Sequence, residues 1–426
     1  MPKSTKLMNR NFFLLWQGQT VSKIGSSLYF IAIMLWIKDA TQSPTIMGLM
    51  MAIPGVIMVI LGPIGGTFAD RHSRRKIIVF SDLFSGVAFI SLAAFVYFAP
   101  VSTGIIIVWI ILVSVLVAIF GSFFSPAIYA SVPDIVPKDK LPGATTLNQL
   151  SDQISMILGQ VLGGTLFRIL GGPVIFLIDG LSFLFSAGSE TFVVIPQEIA
   201  RNNNNSWKDK YQEFKSDFIE GLQYIWNTSG LRELFFVSAF LNFFMMPIII
   251  NLPFYVEDYL GIAKDWYGYL LGIYGVGSFL GYIFGGVFKF SSKSRATLII
   301  MFLILESFSY CTLGLIHKVY FAVVIAALAG FFSGFVMLYI TVILQSTTPS
   351  NIRGRMFGVL STLIGSITPL GQALGGFIFD LIGRNILIMY GGCGLMLALL
   401  SIMVSFNRNF RIYLSHDLSE NLTTSK

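Results

Sequence analysis

Three charged side chains stand inside long apolar runs: Lys23, Asp152 and Glu306. An ionised group at mid-membrane costs about 3 kcal/mol unless it faces water or a partner, so each points to a functional group or to a structural partner. Lys23 shares a helical stripe with Gln19, Ser26, Ser27 and Phe30, and Asp152 shares one with Asn148, Ser155, Gly159 and Gly163. Two readings stand for the first two charges: an ion pair between neighbouring helices, or cavity-lining groups that change partner or protonation as solute moves. In the second, proton and solute compete for Asp152 and their fluxes are coupled. Glu306 is either a second proton carrier or a structural carboxyl. Asp82 and Asp179 lie nearer the ends of their runs, within reach of headgroups or helix termini.

Other chemistry is poorly represented. Cys311 and Cys393 sit in apolar runs without metal spacing, and His72, His317 and His416 form no cluster. Neither a P-loop nor a nucleophile elbow occurs, so no enzyme activity, cofactor or bound metal is expected.

The elements that hold these residues follow from composition. Of 426 residues, 55% are hydrophobic and 12% charged, with mean hydropathy +0.77. Soluble domains carry about 25% charged residues, so this is an all-α polytopic membrane protein. Runs long enough to span hydrocarbon lie near 12–37, 44–69, 77–98, 103–128, 144–170 and 173–195, then 234–256, 266–290, 297–316, 319–345, 356–382 and 385–406. The expected organisation is a six-helix bundle over 1–195, a linker over 196–232, a second six-helix bundle over 233–406, and a tail over 407–426. The linker holds the polar tract 202–205, then an amphipathic pattern carried by Trp207, Tyr211, Phe214, Phe218, Leu222 and Ile225. The run at 12–37 is longer than a signal-peptide core and reads as a first span.

A repeat joins the two bundles. The stretch 158–167, with Gly159, Gly163 and Gly164, returns 212 positions later at 370–379, with Gly371, Gly375 and Gly376. Pro137 and Pro349 upstream, and Gly171 and Gly383 downstream, fall in register. Small residues four apart let helices pack backbone to backbone.

Basic residues concentrate at the N-terminus, in the loops after spans 2, 4, 6, 8 and 10, and at the C-terminus. The opposite side has only Lys38, Arg168, Lys264, Lys318 and Arg384. Both termini and the linker are therefore expected in the cytoplasm of a bacterial inner membrane, and the net charge of +7 needs no nucleic-acid partner.

The loop after span 2 reads Gly66-Thr67-Phe68-Ala69-Asp70-Arg71-His72-Ser73-Arg74-Arg75-Lys76. It resembles the signature G-x-L-A-D-R-x-G-R-K of the major facilitator superfamily, and the six-plus-six layout extends the resemblance over the whole chain. Phe68 replaces the leucine and Ser73 the second glycine; the second-half copy has Lys289 where the aspartate would be. The resemblance implies that Asp70, with Arg71 or Arg74 and Gly66, forms a conformational latch. It also implies a cavity walled by spans 1, 4, 7 and 10, which here carry Phe124 with Phe120 and Phe123, Asn242 and Phe243 with Phe240 and Phe244, and Phe332 and Tyr339 with Phe331 and Phe335. With Lys23, Gln19 and Phe30 these are the expected substrate contacts, a wall suited to a bulky amphipathic ligand. Span 5 of drug-proton antiporters commonly carries G-P-x-x-G-G; here Gln160 stands for the proline.

The entry segment 9–16 and the segment 134–148 resemble the macrolide and siderophore exporter branch. That branch often has an acid after the glycine of span 1, whereas Gly25 is followed by Ser26, which moves the expected proton site to Asp152. The expected function is proton-coupled export of a drug or siderophore by alternating access, the protein acting as a monomer among membrane lipids. The alternatives are proton-independent movement of a lipid-like solute or metal ion, and a non-transporting sensor or scaffold.

Overall fold

A computed structural model describes residues 7–98, 102–197, 207–288 and 290–415. The 202–205 tract, Lys289 and the tail from 416 onward, with His416, lie outside the described residues.

Among the described residues the chain is helical, and twelve helices are long and apolar enough to cross a membrane. The first six are α1 (Arg10–Thr41), α2 (Pro44–Arg71), α3 (Arg74–Phe98), α4 (Thr103–Ile135), α5 (Leu141–Leu170) and α6 (Gly172–Glu190). After α7 (Trp207–Asn227) come α8 (Leu231–Ile250), the single turn α9 (Leu252–Phe254), α10 (Trp266–Val287), α11 (Ser292–Leu313), α12 (Val319–Thr347), α13 (Ser350–Leu381), α14 (Ile386–Ser405) and the short α15 (Arg408–Leu414). Local chemistry starts them where expected. Asn9, Ser43, Ser291 and Asn385 each accept a main-chain amide at a helix N-terminus, and Glu233 accepts the Gly230 amide at 2.6 Å.

The chain divides into two compact units. The first comprises Met1–Ile46, Met50–Ser206 and Lys264–Gly272; the second comprises Met47–Leu49, Trp207–Ala263 and Ile273–Lys426. In the first, α1 packs on α5 and α6, and α3 on α4 and α6. In the second, α8 packs on α13 and α14, and α11 on α12 and α14. These are the same four pairings, so the sequence repeat is a repeat of packing.

The repeated glycines explain one pairing in each unit. A Cβ on Gly163 would lie 2.8 Å from Cβ of Ile31, and Gly159 backs onto Ser27, so α5 closes on α1. A Cβ on Gly375 would lie 2.7 Å from Cα of Pro247, and one on Gly371 2.6 Å from the Phe243 carbonyl oxygen, so α13 closes on α8. The third glycine of each copy receives a segment from elsewhere in the chain. Gly164 backs onto Asp265 within the first unit, and Gly48 onto Gly376 within the second.

The second unit also holds a helix break. Pro247 has no amide to offer the Phe243 carbonyl, and α8 ends three residues later. Buried Asn251 then bonds the Pro247 and Gly375 carbonyls at 2.8 and 3.2 Å, and the chain winds through a π-helical turn at Tyr255–Tyr259. The linker helix α7 docks on α13: Arg355 pairs with Asp217 at 2.8 Å and Glu220 at 2.7 Å, and Ile225 is fully buried.

Candidate transport site

The seam between α1 and α5 is polar at successive turns. Trp16 donates to Ser151 at 2.8 Å, Lys23 forms an ion pair with Asp152, and Gly159 backs onto Ser27 one turn further along. The pair is half-exposed, with 38% of the Lys23 side chain and 52% of the Asp152 side chain accessible. Glycine-driven closure of α5 on α1 is what brings these two charges, 129 positions apart in sequence, into contact.

Two other residues of the α1 stripe face α6. Gln19 is buried and donates to Glu190 at 2.6 Å and Ser186 at 3.3 Å, and Ser26 donates to Asp179 at 3.2 Å, both on α6. Asp82 on α3 is likewise buried. Phe30 is half-buried on α1.

In the second unit, Glu306 is buried on α11 and accepts the Tyr310 hydroxyl at 2.8 Å. Above it α10 and α12 run backbone to backbone, with Gly277, Gly330 and Gly334 at the crossing. Tyr339 is buried, gives its hydroxyl to the Gly285 carbonyl at 2.8 Å, and lies under the Arg295 guanidinium at 5.8 Å. Phe332 meets Phe302 at a tilt and Phe331 edge-on. On α8, Asn242 bonds its own helix at the Ser238 carbonyl, and Phe243 meets Phe244 edge-on. On α4, Phe124 packs on the cluster around Phe12 and Leu15.

The loop after α2 is cross-braced within the first unit. Arg74 reaches Asp134 at 2.6 Å and the Ala130 carbonyl at 3.0 Å, both near the end of α4. Its main-chain amide donates to Gln197, whose own amide donates to the His72 carbonyl at 3.1 Å. Gly66 has open space where a Cβ would stand. The side chain of Asp70 lies outside the described residues.

A family model described as the Major Facilitator Superfamily matches residues 15–371 and 234–415. The chain belongs to that superfamily. Macrolide efflux protein A of Streptococcus pyogenes is 25% identical over 88% of this chain and 90% of its own length. The multidrug efflux pump Tap of Mycolicibacterium fortuitum is 24% identical over 76% and 78%. Among solved structures, a bacterial homologue of the human lysosomal transporter Spinster, inward-facing and unoccupied, superposes with TM-score 0.69 at 16% identity over 97% and 98% of the two chains. The nucleoside transporter NupG does so with TM-score 0.69 at 12% identity over 96% and 100%. At these identities the two structures speak for the major facilitator fold alone.

Several polar groups at these sites carry no signal in the sequence. Glu190 ends an apolar run, and Gln197 follows it in a stretch without pattern. Asp265 is buried and meets Arg168 at 3.1 Å, while neighbouring Lys264 pairs with Asp39 at 2.7 Å. Tyr269 bonds Thr165 at 2.6 Å beside them. Among the described residues no group of three or more His, Cys, Asp or Glu side chains could hold a metal ion.

Proposed function

We propose that this major facilitator is a secondary active exporter of an amphipathic small molecule, a drug or siderophore, driven by proton antiport with alternating access. The observation that carries the reading is the half-exposed Lys23–Asp152 pair, an ion pair on two helices long and apolar enough to span a membrane, with 38% and 52% of its side chains accessible. A proton on Asp152 abolishes its charge and frees Lys23; return of the carboxylate restores the pair. A cationic solute that competes with the proton for the Asp152 carboxylate then exchanges with it. Relatives named for macrolide and multidrug efflux support outward transport of bulky molecules.

Asp152 is the primary proton carrier and buried Glu306 the second. In the first unit Lys23, Phe30 and Phe124 offer the substrate one cation and two aromatic rings; in the second, Phe243 and Phe332 offer aromatic rings. Gln19, Asn242 and Tyr339 belong to the same proposed substrate contacts, and their polar atoms bond within their own units. Arg74 carries the latch, braced by Asp134 and Gln197, with Asp70, Arg71 and Gly66 in the same loop. The protein works as a monomer in the bacterial inner membrane with both termini cytoplasmic, and needs no nucleic acid.

The test is proton release from purified protein in liposomes on adding macrolides, siderophores, dyes or lysolipids, with Asp152→Asn beside wild type. Release elicited by one class and absent in the variant is expected. Binding without release, unchanged in Asp152→Asn, overturns antiport and leaves a facilitator.

A further inference from the structure

In the second unit, residues of α11, of the end of α14 and of α15 line an open groove of about 370 Å³. Ile300, Met301, Ile304 and Leu305 on α11 line it with Phe406, and Arg411 on α15 is the one charged side chain among its lining residues. Two hydroxyls also face it, but each is used within its own helix: Thr297 donates to the Lys293 carbonyl at 3.0 Å and Ser405 to the Ile402 carbonyl at 2.6 Å. The lining therefore presents hydrocarbon and one cation.

We propose that this groove binds an anionic phospholipid, one acyl chain lying along α11 and the phosphate on Arg411. Thr297 to Leu305 rises about 12 Å along the helix axis, close to one leaflet of a hydrocarbon core about 30 Å thick. Arg411 sits beyond the last turn of α14, at the level where a headgroup belongs. It is exposed and makes no ion pair among the described residues, so its guanidinium fork is open to a phosphate. Its main chain is held in place. Phe410, Tyr413 and Leu414 bury α15 against the second unit, the Tyr413 hydroxyl bonds Thr347 at 2.8 Å, and Asn407 caps the helix start. Arg408, one turn back and also exposed, adds charge of the same sign. Met301, 41% exposed, and Phe406, 82% exposed, are left for a lipid tail to cover. The inference is independent of the transport reading, since no residue of the α1–α5 seam or of the Glu306 cluster takes part.

The experiment is native mass spectrometry of the full chain released from nanodiscs of equal phosphatidylglycerol and phosphatidylcholine. Wild type is expected to retain phosphatidylglycerol in preference by about fivefold, the effect of one juxtamembrane basic residue. Arg411→Gln, at an exposed position, abolishes the preference, and Arg384→Gln at the other end of the unit leaves it intact. Met301→Trp, which fills the groove, lowers retention of both lipids. Equal retention of the two lipids by wild type, or a preference that survives Arg411→Gln, overturns the proposal. Displacement of the lipid by inorganic phosphate also overturns it, by making Arg411 a site for the free ion.

Discussion

At the scale of single residues, the Lys23–Asp152 pair separates function from stability. Exposed ion pairs are worth about 0–1 kcal/mol, so Asp152→Asn and Lys23→Met are expected to lower the unfolding free energy by no more than about 1 kcal/mol. Proton release should nevertheless fall at least tenfold in Asp152→Asn; thermal unfolding in detergent and proton release from liposomes measure the two effects on one preparation. Glu306 behaves differently because it is buried. Glu306→Gln keeps an oxygen for the Tyr310 hydroxyl and is expected to unfold like wild type while losing proton coupling. Glu306→Ala removes a buried acceptor shared by the Tyr310 and Ser333 hydroxyls and costs about 1–3 kcal/mol. Unaltered coupling in Glu306→Gln would make the carboxyl purely structural. The charges themselves were legible in the sequence because charge in an apolar run is rare. Their partners were not: positions three apart, such as Lys23 and Ser26, differ by about 60° around a helix, enough to send one side chain to α5 and the other to α6.

At the scale of elements, the glycines act by letting backbones meet, and this can be graded. A Cβ at Gly375 would press on the main chain of Pro247, which cannot yield as a side-chain tip can. Gly375→Ala is therefore expected to cost about 1–3 kcal/mol, read as a lower unfolding temperature. Gly66→Ala, with open space around the new methyl, should be neutral or gain up to about 1 kcal/mol from helix propensity. Equal losses at both sites would remove close packing as the reason for the repeat. Most of the fold at this scale could be read from apolar runs, caps and the doubled glycine stretch. The π-helical turn at Tyr255–Tyr259 could not, since Pro247 and Pro253 announce a break without fixing how the chain continues. The attachment of α7 to α13 was equally silent: an amphipathic pattern tells that one face is buried, and Arg355 then decides against what.

At the scale of the whole molecule, the four shared helix pairings make each unit a copy of the same bundle, so orientation in the membrane is expected to follow the charges that differ between its two faces. Lys138, Lys140 and the basic residues after α2 stand on the side where positive charge accumulates, whereas Lys264 and Arg384 stand on the other. Twelve crossings return the chain to its starting side, so one reporter on each face decides the arrangement. Single cysteines are the direct measure, in a background where Cys311 and Cys393 are replaced by serine. A cysteine at Lys76 should react with a membrane-impermeant maleimide only after the cells are opened, and one at Lys318 should react in intact cells. Because the bond from Arg74 to Asp134 lies on the Lys76 side, the same labelling places that brace in the cytoplasm. The reverse pattern would turn the protein over in the membrane and put the Arg74–Asp134 brace on the outer face, while antiport through Asp152 would still carry solute outward, because the inward proton gradient, and not the orientation of the chain, sets the direction of exchange.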